Sequence, residues 1–219
     1  MSVEPAGDPA GPALEQRDAA RLAACVAGGG VAVFPSDTVY GLCCDPDDEA
    51  AVRRLYALKG RPAGRPAAVM FLALEPALEA LRDIPAAERA ALLALLPGPV
   101  TLLLVNRTGR FLPACGPDPS TLGLRVPVLP ERLKVLGAVL LPIMQSSANR
   151  SGAADARRLQ EIPASLLEGA DLVLDGGELP GMASTVVDLR EYAATGDWQV
   201  LREGALPAAE VARRLAIRG

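Results

Sequence analysis

The chain has 219 residues, enough for one domain with a well-buried core or for two small ones. Half of its residues are apolar and only 3% are aromatic, so the core is expected to be built from Ala, Val and Leu; a net charge of −4 argues against general coating of nucleic acid but leaves room for a local basic cleft. There is no histidine, which excludes Cys/His metal sites, Ser-His-Asp hydrolases and Cys-His proteases, so any catalysis must rest on positioning, on Lys and Arg electrostatics or on a base brought by the substrate.

Residues 1–13 are rich in Pro, Gly and acids, and a disordered leader is expected over 1–12, ahead of a single α/β domain over 13–219. A first helix is expected over Ala13 to Ala27, with Leu14, Leu22 and Val26 buried and Gly28-Gly29-Gly30 ending it. Val31 to Phe34 reads as a short strand running into a loop, Pro35 to Leu42. That loop gathers hydroxyls, a carboxylate and a phenol at a strand exit, where α/β sheets hold ligands; Ser36-Asp37-Thr38 also suits an Asx-type turn with no ligand. A second helix is expected to open with Asp45 as N-cap and Pro46 at its first position, to bury Val52, Leu55, Tyr56 and Leu58, and to stop at Gly60.

Lys59 stands at that stop. Of the 22 basic residues only Lys59 and Lys134 are lysines, in a composition that otherwise places Arg wherever positive charge is useful. A compact ammonium beside the planar forks of Arg61 and Arg65 suits a polyphosphate or a carboxylate. A helix C-terminus also welcomes cations without any ligand.

Further along, Ala67 to Leu74 reads as a buried strand, Ala86 to Leu96 as a helix stopped by Pro97-Gly98-Pro99, Thr101 to Val105 as a strand and Arg107 to Ser120 as a loop. Thr121 to Pro127 is a strand that places Thr121, Gly123 and Arg125 on one face, and Arg125 needs an anionic partner if it is buried. A helix over Pro130 to Val139 and a strand over Leu141 to Gln145 lead into Ser146-Ser147-Ala148-Asn149-Arg150-Ser151-Gly152. Such a cluster suits a phosphate or nucleotide cradle, or an ordinary turn. A short helix from Pro163 to Glu168, a strand at Leu172 to Leu174, a Ser/Thr strand entry at Ser184, a last strand from Trp198 to Gly204 and a helix from Pro207 to Ala216 complete the chain.

Cys25, Cys43, Cys44 and Cys115 show no C-x-x-C spacing and read as reduced thiols. No apolar run approaches the roughly 18 to 20 residues that span a bilayer, and the acidic N-terminus is unlike a signal peptide, so a cytoplasmic protein with no membrane partner is expected.

The ordered blocks Pro35 to Leu42, Lys59-Gly60-Arg61-Pro62, Pro97 to Thr101, Leu124-Arg125-Val126-Pro127, Ser146 to Gly152, Ser184 to Asp188 and Leu201-Arg202-Glu203-Gly204 resemble the YrdC/YwlC family of threonylcarbamoyl-AMP synthases over about residues 15–205. The resemblance implies a single-domain α/β fold, a twisted mixed sheet with packed helices and a concave cationic cavity. It implies an activity that joins L-threonine, bicarbonate and ATP into threonylcarbamoyl-adenylate and pyrophosphate. Mg²⁺ would arrive with the nucleotide, with no metal ligand from the protein, and a tRNA threonylcarbamoyl transferase would take the product to an adenosine beside the anticodon. Carried over residue by residue, Lys59 and Arg61 would neutralise the triphosphate and the carbamate. Arg61, Arg65, Thr121, Ser147, Asn149 and Arg202 would hold ATP, and Thr38, Arg125 and Ser184 would hold L-threonine, with Arg125 on its carboxylate.

The chain departs from the family pattern at Met70, where a His is common, and at Ser36-Asp37, where Thr-Glu is commoner; longer relatives also append a C-terminal domain for which this chain is expected to have no room. Two other readings fit the same residues: a paralogue acting on another carbamoyl adenylate, and a non-catalytic module that binds RNA through a basic concavity.

Overall fold

A computed structural model describes residues 11–60 and 66–216. The leader expected over 1–12 lies outside the described residues except for Gly11 and Pro12, which are exposed. In the described residues, α1 (Gln16–Ala27) follows an extended start in which Leu14 is already buried. The helix begins at Gln16 rather than Ala13 because Asp18 Oδ2 accepts the Glu15 N–H at 3.0 Å and caps the first turn. Ala19, Leu22 and Val26 form its buried stripe.

The expected ligand loop after β1 (Ala32–Pro35) is a tight turn followed at once by β2 (Tyr40–Cys44). Ser36 Oγ donates to the Val39 carbonyl at 2.7 Å and accepts the Thr38 and Val39 amides at 3.3 and 3.4 Å, so the side chain staples the turn. The two strands pair antiparallel from Ala32 with Cys43 to Pro35 with Tyr40. Tyr40 to Cys44 is buried on both faces, and such a strand lacks the alternation by which a sequence reveals one.

α2 (Glu49–Lys59) is capped by Asp48, whose carboxylate accepts the Ala50 and Ala51 amides at 2.8 and 3.1 Å. Asp45, expected as the cap, instead accepts the Asp47 N–H at 2.8 Å in a turn ahead of the helix. Gly60 ends α2 in the left-handed conformation, φ 58°, which glycine adopts without the cost a side chain would bring, and this makes Lys59 the last helical residue.

The buried run from Ala67 divides into a short β3 (Ala68–Met70) and α3 (Leu74–Ala80), which accepts Pro76 in its first turn. α4 (Ala86–Leu95) and β4 (Val100–Val105) follow as expected; the segment expected as loop contains one turn of helix, α5 (Leu112–Cys115). After β5 (Thr121–Arg125) the expected α-helix is a 3₁₀-helix, Glu131–Ala138, with Leu133 and Leu136 buried. The chain then forms β6 (Ile143–Ser147), a 3₁₀ turn (Leu159–Glu161), α6 (Ala164–Gly169), β7 (Leu172–Val173), β8 (Thr185–Asp188), α7 (Tyr192–Thr195), β9 (Gln199–Arg202) and α8 (Ala208–Ala216).

The strands form one mixed sheet in the order β7-β1-β2-β6-β3-β5-β4-β8-β9. Directly paired residues share a face, and one row crosses its centre: Gln145 pairs with Ala68, Ala68 with Gly123, and Gly123 with Leu103. Small residues at Ala68 and Gly123 leave that row hollow between taller neighbours. The four cysteines are free thiols, and no helix among the described residues is long and apolar enough to cross a membrane.

Candidate active site

The hollow is a cavity of about 470 Å³ whose floor is the row just described and whose walls come from β4, β5, β6, β8, β9 and the connections between them. Thr121, Arg125, Ser147, Ser184 and Arg202 all line it, so five of the predicted ligand-binding residues meet in one space. They arrive there by period two on β5 and from the ends of β6, β8 and β9.

Lys59, Asn149 and Thr38 stand immediately behind this wall. Lys59 is 3% exposed, not a solvated loop cation. Its Nζ donates to the Ser147 carbonyl, to Asn149 Oδ1 at 2.9 Å and to Ser147 Oγ at 3.4 Å. Ser147 Oγ in turn donates to Asn149 Oδ1 at 2.7 Å, and Asn149 Nδ2 lies 3.2 Å from Asp155 Oδ1 on the cavity wall. A compact ammonium with three donors matches this cluster of oxygens, whereas a guanidinium would need a flat slot. Arg61 and Arg65 lie outside the described residues.

Arg125 has the anionic partner its burial requires, and that partner lies within the chain. Its Nη2 donates to Asp37 Oδ1 and, at 2.7 Å, to Thr38 Oγ1, while Nε makes no hydrogen bond among the described residues. Burial pushes the Asp37 carboxyl above its ordinary value, with Arg125 pulling it back, and burial likewise lowers Arg125 against the pull of Asp37. Thr38 is thus an acceptor for Arg125, held in place by the Ser36 turn.

Across the cavity, Ser184 Oγ and Thr101 Oγ1 are 2.9 Å apart, and Arg202 Nη2 donates to the Ser184 carbonyl at 2.7 Å. Arg202 makes no ion pair among the described residues, although Asp118 and Asp155 line the same cavity. Thr121 Oγ1 donates to Asp118 Oδ2 at 2.6 Å and accepts from Arg190 Nη1 at 3.3 Å.

Sequence reasoning did not single out Arg190, Gln145, Thr101, Asp118 and Asp155, all of which line the cavity. Arg190 follows β8 in an exposed-looking stretch, yet it is gripped by Asp188 at 2.6 and 2.9 Å and faces Thr121. Thr101 and Gln145 share the face of recognised residues by strand periodicity; that signal was available once the strands were aligned.

The Sua5/YciO/YrdC family model, described as "Telomere recombination", matches residues 24–204. A threonylcarbamoyl-AMP synthase of Pyrococcus abyssi is 34% identical over 189 residues, covering 84% of this chain and 53% of its own length. One of Chromohalobacter salexigens is 35% identical over 180 residues, covering 80% of this chain and 96% of its own. The chain therefore spans about half of the archaeal relative and nearly all of the bacterial one. Among solved structures, P. abyssi Sua5 complexed with L-threonine matches with a TM-score of 0.75 at 28% identity, over 92% of this chain and 58% of that one. The chain belongs to the Sua5/YciO/YrdC family.

Proposed function

We propose that this chain is a threonylcarbamoyl-AMP synthase, a nucleotidyltransferase that makes threonylcarbamoyl-adenylate, pyrophosphate and water from L-threonine, bicarbonate and ATP. The observation that carries the reading is the convergence of the Lys59–Ser147–Asn149 cluster, the Arg125–Thr38 pair and the Ser184–Arg202 pair on one cavity, in a chain whose relatives carry that name. One of those relatives has been crystallised with L-threonine, which supports the amino acid as a ligand of this cavity.

The threonine amine attacks bicarbonate or its dehydrated form and yields a carbamate. A carbamate oxygen then displaces pyrophosphate from the α-phosphate. The difficulty is that carbamate and triphosphate are both anions; two unit charges 4 Å apart repel by about 4 kcal/mol at an effective dielectric constant of about 20. Cations fixed in advance offset this repulsion without reorganising during the reaction. Arg202, and Arg61 and Arg65 from the segment that follows Gly60 in sequence, are assigned to the phosphates, with Thr121, Ser147 and Asn149 as nucleotide ligands. Lys59 works from beneath, holding Ser147 and Asn149 in register and lending its charge to the reacting centre. Arg125, Thr38 and Ser184 are assigned to L-threonine, with Asp37 setting the position of the Arg125 head.

Mg²⁺ is assigned to the nucleotide rather than to a protein cage, and when bound it neutralises phosphate charge. The product would pass to a tRNA threonylcarbamoyl transferase in the cytosol. The test is pyrophosphate release from ATP in complete mixtures and in mixtures lacking L-threonine or bicarbonate. The reading requires release that depends on both; release that ignores either one rejects it.

A further inference from the structure

Gln145 is a polar side chain of the cavity wall whose amide has no hydrogen-bond partner among the described residues. The residue is 7% exposed, lines the cavity, and its carboxamide makes no hydrogen bond among the described residues. An amide offers two donors and a carbonyl acceptor, and here they face the cavity, where a ligand can meet them. The neighbouring hydroxyls and amides of the wall are all engaged: Ser147 with Asn149 and Lys59, Thr101 with Ser184, Thr121 with Asp118.

The fold also keeps the amide where it is. A Cβ on Gly41, the partner of Ser147 on β2, would come within 2.9 Å of Gln145 Nε2, 3.3 Å of its Cγ and 3.0 Å of Phe34 Cε1. Glycine at position 41 therefore leaves the space in which the Gln145 side chain lies. On its other side the row continues through Ala68 and Gly123, neither of which can cover the amide. Its place is fixed between two assigned regions. Ser147, backed by Lys59, is two residues along the same strand, and Arg125 is two residues along β5 from Gly123.

We propose, resting on the function proposed above, that Gln145 binds the planar N–H/oxygen edge of the carbamate as the amino acid and the nucleotide are joined. The side-chain carbonyl accepts the carbamate N–H, and the side-chain NH₂ donates to the carbamate oxygen on the same edge. Such a paired contact exists only after the carbon from bicarbonate has been attached to the amine, so it favours the intermediate over the free amino acid. The group recognised is an N-carboxylated amine lying between the amino-acid and nucleotide ends of the cavity.

The experiment compares wild type with Gln145→Met, which keeps length and loses both hydrogen bonds, and Gln145→Glu, which keeps shape and adds an anion beside another. Pyrophosphate release is measured in complete mixtures, L-threonine and ATP dissociation constants are measured separately without bicarbonate, and melting temperatures are recorded. The expected result is a kcat about tenfold or more lower in Gln145→Met, lower still in Gln145→Glu, with both dissociation constants within about twofold of wild type. Gln145→Met should melt no lower than wild type, because the amide has no hydrogen bond among the described residues to lose. Weakened ATP binding would put the amide on the adenine edge, weakened L-threonine binding would put it on the free amino acid, and a lower melting temperature would make it structural; each overturns the proposal. Unchanged turnover in Gln145→Met with an active wild type overturns this inference alone, whereas an inactive wild type removes the proposed function and this inference together.

Discussion

Arg125 and Asp37, 88 residues apart in sequence, form an ion pair with side chains only 3% and 5% exposed. Two charges are taken out of water together, and each depends on the other for compensation. Removing one partner of such a pair costs about 3–5 kcal/mol because the survivor is left charged and buried. Asp37→Asn and Arg125→Met should each lose that much unfolding free energy in urea, and the double variant should lose less than either single one. A loss below about 1 kcal/mol in Asp37→Asn would show that the pair is not coupled in this way.

Lys59→Arg preserves charge and alters only its shape. The ammonium sits at 3% exposure among Ser147 and Asn149 oxygens, and a planar guanidinium brings extra atoms into that space. Pyrophosphate release should fall by about 100-fold or more, as when a preorganised electrostatic contact is lost, while the protein remains folded. Turnover near that of wild type would mean that charge alone, irrespective of shape, suffices at this position.

Glu88 on α4 is fully buried and held by one hydrogen bond from Arg107 Nη1 at 2.7 Å; its other oxygen has no hydrogen bond among the described residues. Burial pushes its carboxyl above the ordinary value, with Arg107 pulling it back. The native state therefore keeps a proton that the unfolded chain has already lost, and this contribution to stability declines as pH rises through the window just above the ordinary carboxylate value, then levels off. Glu88→Gln removes the decline. Urea titrations between about pH 4 and pH 7 should show the variant gaining on wild type as pH increases, and a constant or reversed difference would refute the assignment.

The Tyr40 hydroxyl ties β2 to the segment after β7. Its oxygen lies 3.0 Å from Asp175 Oδ1 and 2.9 Å from the Gly177 carbonyl, and it accepts the Gly176 N–H at 3.0 Å. Tyr40→Phe leaves these groups without the hydroxyl and should cost about 1–3 kcal/mol of stability, read from urea midpoints. The same segment supplies the Gly181 N–H to the Thr38 carbonyl at 2.8 Å, so the KM for L-threonine should rise more than that for ATP. An unchanged midpoint would show that the hydroxyl is dispensable.

These relationships differ in how far the sequence announces them. Thr121, Gly123 and Arg125 share a face because a strand repeats every two residues, and Gly60 stops α2 because glycine accepts a positive φ; both follow from local rules. β2 does not, since a strand buried on both faces loses its alternation and Pro35 to Leu42 reads as a loop. The run from Ala67 to Leu74 does not show that β3 ends at Met70, because Phe71 and Leu72 beyond it are as apolar and buried as the strand itself. Asp37 as the counter-ion of Arg125, Arg190 facing Thr121, and Gln145 laid over Gly41 are long-range meetings set by the order of strands in the sheet. No local pattern encodes them.

The most direct measurement supplies ATP, L-threonine and carbon-13-labelled bicarbonate and weighs the adenylate that forms. The account predicts a species containing AMP, one threonine and one labelled carbon, formed together with pyrophosphate. An unlabelled threonyl-adenylate, or an adenylate that forms equally well without bicarbonate, would contradict it.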